Sequence, residues 1–174
     1  MNFKLLPLSD EHLVQFKKDM QAAFQQGAVD AFNDMEEEIL PESHINHSLS
    51  TKGAAAYEAL VDGQLVGGAI VVIDEKTQHN HLDFLYVKSG VQSKGVGKAI
   101  WQSLENMYPE TKVWETCTPY FEKRNIHFYV NHCKFHIVEF FNKYHKDPHD
   151  LEGYDELPDN EYFEGMFRFE KVMK

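Results

Sequence analysis

At residue 54 the hydrophobic period of this chain changes, and it stays changed for three consecutive segments. Before it, Leu13, Phe16, Met20 and Phe24 recur at helical spacing behind the start signal Ser9-Asp10-Glu11, up to Gln25-Gln26-Gly27. After it, Ala54–Val61 reads as a strand, Asp62-Gly63 as a tight hairpin turn, Gln64–Ile73 as a β-branched strand and His81–Val87 as a third. Gly67-Gly68 inside the second of these suggests a bulge or a close backbone approach. Such a group commits the chain to a sheet that begins antiparallel. Around it, residues 2–8 read as a first strand, and the acidic segment 28–50 as one or two short helices. Beyond it come a glycine-containing loop, a helix to about Met107 that Pro109 ends, and a strand at Lys112–Cys117. An aromatic helix at Phe121–His132 and strands at Phe135–Asn142 and Tyr162–Val172 complete the order. That order predicts an α/β (α+β) chain with one mixed, mostly antiparallel sheet flanked by helices.

Repeats and Pro/Gly/Ser linkers are missing from the text, so residues 1–174 are expected to form a single domain. Hydrophobic residues at 43% and aromatics at 13% supply a core, which excludes intrinsic disorder. Lys+Arg 17 against Asp+Glu 28 leaves a net charge of −11, which repels nucleic-acid phosphates. No apolar run approaches the ~20 residues of a membrane span. Met1-Asn2-Phe3-Lys4 opens too short an apolar stretch for a signal peptide. Cys117 and Cys133 make no disulfide framework and suit a reducing compartment, so a cytoplasmic location is expected.

The segment Val87-Lys88-Ser89-Gly90-Val91-Gln92-Ser93-Lys94-Gly95-Val96-Gly97-Lys98-Ala99 joins a strand to an amphipathic helix, where backbone amides and a helix N-terminus can cradle an anion. A Walker A loop ending at Gly97-Lys98 would need Gly at 92 and Ser or Thr at 99, where Gln92 and Ala99 stand. A dinucleotide fingerprint starting at Gly95 would need Gly at 100, where Ile100 stands. The spacing Gln/Arg-x-x-Gly-x-Gly is met at every position by Gln92, Gly95 and Gly97.

This loop, with the element order around it, resembles the pyrophosphate loop of the GCN5-related N-acetyltransferase (GNAT) superfamily, over essentially the whole chain. The resemblance implies the GNAT acyl-CoA acyltransferase fold and transfer of an acetyl group from acetyl-CoA to a primary amine, of a small molecule or of a peptide or protein. It implies that Gln92, Ser93, Lys94, Gly95, Val96, Gly97, Lys98 and Ala99 hold the coenzyme A diphosphate. An acidic protein must attract that diphosphate locally, through successive amides, a helix N-terminus and Lys94 and Lys98. It further implies that Leu85, Tyr86 and Val87 pair with the pantetheine arm, with backbone N–H groups near that strand end polarising the thioester. Asn125 falls near the family's cofactor-contacting asparagine.

Acetyl transfer also needs a base for the ammonium proton and an acid for the departing thiolate. The resemblance implies Tyr129 as the acid, although Lys134 stands where a glycine is usual and lies five residues after Tyr129 instead of four. A core aromatic packed with Phe121 and Phe128 is the alternative for Tyr129. Glu115 and Asp83, on adjacent strands, are the candidate bases, each also readable as a strand-surface carboxylate. Among ten histidines none sits in a metal-binding motif, so no metal is expected. Ser93 lacks a nucleophile elbow, and direct transfer needs no Cys117 nucleophile. Glu36-Glu37-Glu38 would favour a cationic acceptor if residues 28–50 wall the acceptor groove. The C-terminal strand, with Phe163, Phe167 and Phe169, would either pair across a homodimer or close the sheet. The rival function is an inactive acyl-CoA-binding regulatory module of the same fold.

Overall fold

A computed structural model describes residues 2–33, 36–91, 95–148 and 165–173 of the chain. Seven strands form one sheet: β1 (Phe3–Pro7), β2 (Ala54–Val61), β3 (Gln64–Val72), β4 (His79–Val87), β5 (Val113–Pro119), β6 (His136–Phe141) and β7 (Met166–Val172). Their order is β1-β2-β3-β4-β5-β7-β6, with only the β4–β5 pair parallel. The parallel step follows from sequence: a helix and its connections separate β4 from β5, whereas β2, β3 and β4 are joined by tight turns. At the first of these, Asp62 and Gly63 both take positive φ (51° and 83°), the conformation that two-residue hairpin loops demand.

Two helical layers cover the sheet. On one face lie α1 (Leu13–Phe32) and α2 (Glu42–Ser50), whose Phe16, Met20 and Ile45 pack on Ile70 and Tyr86. On the other lies α3 (Val96–Met107), whose Ile100, Trp101 and Leu104 pack with Leu82, Trp114 and Phe169. A short α4 (Lys123–His127) runs directly into a π-helical turn at Phe128–His132. Trp101 and Trp114 meet edge to face at 5.2 Å in the centre of this second core.

One detail departs from the sequence reading, and two others decide between alternatives it left open. Helix α1 does not stop at Gly27 but continues to Phe32. Ala28 is wholly buried there and Phe32 packs on Phe121, and this burial outweighs the low helix propensity of one glycine. Gly67 and Gly68 mark close approach: a Cβ at 67 would lie 2.5 Å from the Tyr86 carbonyl, and one at 68 would lie 2.4 Å from the Phe16 ring. The bulge sits beside them, where Val66 is left over between the pairs Ala59–Gly67 and Leu60–Leu65. Finally, β7 lies between β5 and β6 and is paired on both sides, so Phe167 and Phe169 close the sheet instead of offering an edge to a second copy. Phe163 lies outside the described residues.

Candidate active site

The parallel pairing of β4 with β5 lasts four residues, from His79–Val113 to Leu82–Thr116, and then stops. Thr116 Oγ1 donates to the Leu82 carbonyl (2.8 Å) and closes the vertex. Beyond it the two strands diverge into a wedge. Asp83 is the extra residue of a bulge in β4, since Ile70 pairs with Phe84 and Val71 with Leu82. Farther along, Lys88 N–H donates to Val66 on β3 (2.8 Å), so by strand alternation Tyr86 turns its main chain toward β3 while Leu85 turns its own into the wedge.

A cavity of about 1010 Å³ occupies this opening and is lined from both layers. Ala23, Phe24, Gly27 and Asp30 of α1 contribute from one face of the sheet; Gly95–Lys98, Phe128 and His132 contribute from the other. Leu85, Tyr86, Val87 and Asn125, all anticipated as cofactor contacts, line it too. The N-terminus of α3 points its first turn here. Ala99 N–H donates to the Gly95 carbonyl (3.0 Å) and closes the first helical bond, so the amides of Val96, Gly97 and Lys98 stand outside the helical ladder. Ala99 is therefore a poor donor to a ligand, whereas the three residues before it present amides that can cradle an anion at the positive end of a 12-residue helix.

The two glycines of this loop serve different ends. Gly95 has φ +78° with open space around its missing Cβ, so it is needed for its backbone conformation. Gly97 needs its lack of side chain: a Cβ there would touch the Phe128 ring at 3.3 Å. Gln92, Ser93 and Lys94 lie outside the described residues.

The expected catalytic residues do not line the cavity; they gather around the vertex. Tyr129 is buried among Phe128, Phe135 and Phe169. Its hydroxyl is in hydrogen-bonding range of Thr116 at the vertex, and burial pushes its pKa well above the ordinary phenol value. Tyr129 is thus a packed core aromatic, the alternative to an acid that the sequence offered, and its hydroxyl stands at the vertex. The five-residue spacing to Lys134 is absorbed by the π turn, which accommodates one residue more than an α turn, and Lys134 takes the left-handed conformation (φ 67°) in which glycine is usual.

Asp83 and Glu115 project on the opposite face of the sheet. Asp83 accepts from Ser48 Oγ of α2 (2.5 Å) and pairs with His81 Nδ1 (2.7 Å). Glu115 lies 3.7 Å from the Arg168 guanidinium, which also binds Glu139 (2.8 Å) and Glu170 (2.6 Å). Burial would lower the pKa of His81, but Asp83 and Cys117 outweigh it and raise it to about 10, so the imidazole is cationic at neutral pH. Donor atoms of His81, Glu115 and Cys117 lie within 4.8 Å of one another. These are zinc-type donors, and the Arg168 guanidinium adjoins them at Glu115.

Sequence reasoning missed Glu122, a cavity-lining carboxylate that is only 8% exposed. No motif marks it; its burial depends on Gly27, far away in sequence, and burial raises its pKa from 4.5 to about 7. The run Glu36-Glu37-Glu38 is exposed, and it is Asp30 and Glu122 that bring negative charge to the cavity.

A sheet split by a wedge, with a helix N-terminus aimed into the split, is the architecture of an acyl-CoA transferase. The chain belongs to the Acetyltransferase (GNAT) family, whose pattern it matches over residues 15–135, and it is an acyltransferase of that family. It is 44% identical over 177 residues to YrkN of Bacillus subtilis (strain 168), an uncharacterised protein, with 98% of this chain and 94% of that one aligned. Among solved structures it is similar to the PaiA N-acetyltransferase of Thermoplasma acidophilum in complex with coenzyme A (TM-score 0.69, 18% identity, 99% and 100% of the two chains covered). It is also similar to a GNAT acetyltransferase of Elizabethkingia anophelis with acetyl-CoA bound (TM-score 0.68, 12% identity, 99% of each chain covered). No helix among the described residues is long and apolar enough to cross a membrane.

Proposed function

We propose that the protein is a cytoplasmic, acetyl-CoA-dependent N-acetyltransferase that transfers acetyl directly to a primary amine. The observation that carries this reading is the convergence in one cavity of the three amides outside the α3 ladder and the wedge edge of β4 at Leu85. A diphosphate at Val96–Lys98 and an extended arm along Leu85 fit the same opening, with Lys98 and Asn125 beside them. The arm would add main-chain hydrogen bonds to β4 in place of those β5 no longer makes. Its thioester would then lie toward the vertex, where backbone amides polarise the carbonyl and Tyr129 stands on the leaving-sulfur side. The raised pKa keeps the Tyr129 phenol protonated at any working pH, the state required to protonate a departing thiolate. The donor enters from the α3 layer, which leaves the α1 layer for the acceptor.

Calorimetry with acetyl-CoA tests the donor half of the reading. Wild-type protein is expected to bind it in the micromolar range, and Gly97→Glu, which sets bulk and negative charge against the diphosphate, is expected to lose at least 100-fold in affinity, about 3 kcal/mol. A folded wild-type protein that binds no acetyl-CoA would overturn the proposal. Thiol release with a panel of primary amines tests the acceptor half.

A further inference from the structure

We propose that Glu122 is the residue that receives the acceptor's ammonium group in the cavity and takes its proton. This deepens the acetyl-transfer reading and rests on it.

Glu122 lies between the end of β5 and α4, lines the cavity, and sets its carboxylate directly against α1 at Gly27. Gly27 lets it in: a Cβ at 27 would stand 2.4 Å from Oε1 and 2.9 Å from Oε2. Among the described residues the carboxylate has no hydrogen-bond partner and no ion pair within reach. A carboxylate this buried is costly unless a cation or a proton completes it. The charged groups around it do not. Arg124 of α4 favours its ionised form, while Asp30 of α1 opposes it, and Tyr129 of the π turn is neutral. Lys98, Lys123, His127 and His132 also line the cavity. A primary ammonium is small, carries three donors and supplies the charge that is missing. Burial is the main cause that sets the Glu122 pKa near 7, which suits a group that must accept a proton and then release it at neutral pH.

The step balances. One ammonium proton passes to a Glu122 carboxylate oxygen, freeing the nitrogen lone pair. The amine attacks the thioester carbonyl, the C–N bond forms and the C–S bond breaks with its electron pair on sulfur. The departing thiolate takes a proton through Tyr129, which recovers one from the new amide nitrogen. Glu122 then returns its proton to water, so one proton is released per turnover.

The test uses the full chain and its Glu122→Gln, Glu122→Asp and Gly27→Ala variants. Acetyl-CoA affinity is read by calorimetry, and thiol release is followed from pH 5 to 9 with a monoamine, a diamine, a lysine-containing peptide and a peptide with a free N-terminus. For amines that the wild type acetylates, Glu122→Gln should leave acetyl-CoA affinity within about threefold and lower kcat/KM by about 100-fold or more. It should also remove the acidic limb expected of the wild type near pH 7. Glu122→Asp should recover part of the rate, and Gly27→Ala, whose methyl displaces the carboxylate, should lose rate but not donor affinity. Wild-type rate and pH profile in Glu122→Gln would overturn this proposal and leave the acetyl-transfer reading standing. A wild type that binds acetyl-CoA but acetylates none of these amines would also overturn it. Failure of the wild type to bind acetyl-CoA would overturn both.

Discussion

At the scale of single residues, two titrating groups tie stability to pH in ways that can be measured. The carboxyl of Glu122 is raised from 4.5 to about 7 by burial first, with Asp30 adding and Arg124 opposing. The native protein then holds a proton that the unfolded chain has lost, so stability falls as pH rises from 4.5 to 7 and stays reduced above it. Glu122→Gln removes this penalty and should stabilise the protein at pH 8 by up to about 3 kcal/mol, with no gain at pH 4.5. Calorimetric melting at the two pH values checks it. His81 is raised from 6.5 to about 10; burial opposes the shift and Asp83 and Cys117 drive it. Its contribution is fully present below pH 6.5 and is lost as pH climbs toward 10. Urea midpoints of the wild type should fall between pH 7 and 10, while those of His81→Gln should fall less. The sequence made Asp83 and Glu115 visible because each lies in phase on an obvious strand, but it could not say that Ser48, His81 and Arg168 already hold them. Glu122 was illegible for the opposite reason, since its environment is made by a helix remote in the chain.

At the scale of elements, local conformation explains where the family pattern and this sequence part. Lys134 occupies a left-handed position at which a side chain is strained, though its Nζ donates to the Asn131 carbonyl (2.8 Å). Lys134→Gly should therefore stabilise the fold by up to about 1 kcal/mol, net of the entropy glycine loses. Denaturant unfolding would register it, and a destabilised Lys134→Gly would mean that the lysine contact outweighs the strain. The strand–hairpin–strand unit was legible to within one residue, Gln64–Ile73 being expected and Gln64–Val72 found, because its turn chemistry marks the hairpin. The end of α1 was not, since Gly27 reads locally as a stop while Ala28 and Phe32 are buried by partners that only the tertiary fold supplies. The anion loop was readable as a loop, yet its spelling did not separate a glycine that shapes the backbone from one that makes room for Phe128.

At the scale of the molecule, one mixed, mostly antiparallel sheet followed from the succession of elements, whereas the place of β7 between β5 and β6 and the wedge did not: nothing in the text says that pairing stops at Leu82 and Thr116. On the proposed acetyl transfer, the net charge of −11 would act on both substrates at once. It would repel an anionic donor, which the amides at the start of α3 and nearby cations would have to attract, and it would draw in a cationic acceptor. Raising ionic strength from 0.02 to 0.2 M, which shortens the screening length from roughly 20 to 7 Å, should leave acetyl-CoA affinity unchanged or improve it, and should raise KM for a cationic amine. A Kd for acetyl-CoA that weakens steeply with salt would show that local cations dominate the encounter.

The four-pair seam between β4 and β5 makes the sheet, in mechanical terms, two panels on a short hinge: β1 to β4 on one side, β5 to β7 on the other. A ligand arm laid in the gap bridges both panels, so the loaded protein should be the stiffer one. Amide hydrogen exchange at Leu85 and along the lips of the gap should slow when the donor binds. An acceptor that needs both panels held at a fixed spacing would then bind second, and the order of substrate addition would be written into the shortness of one strand pairing.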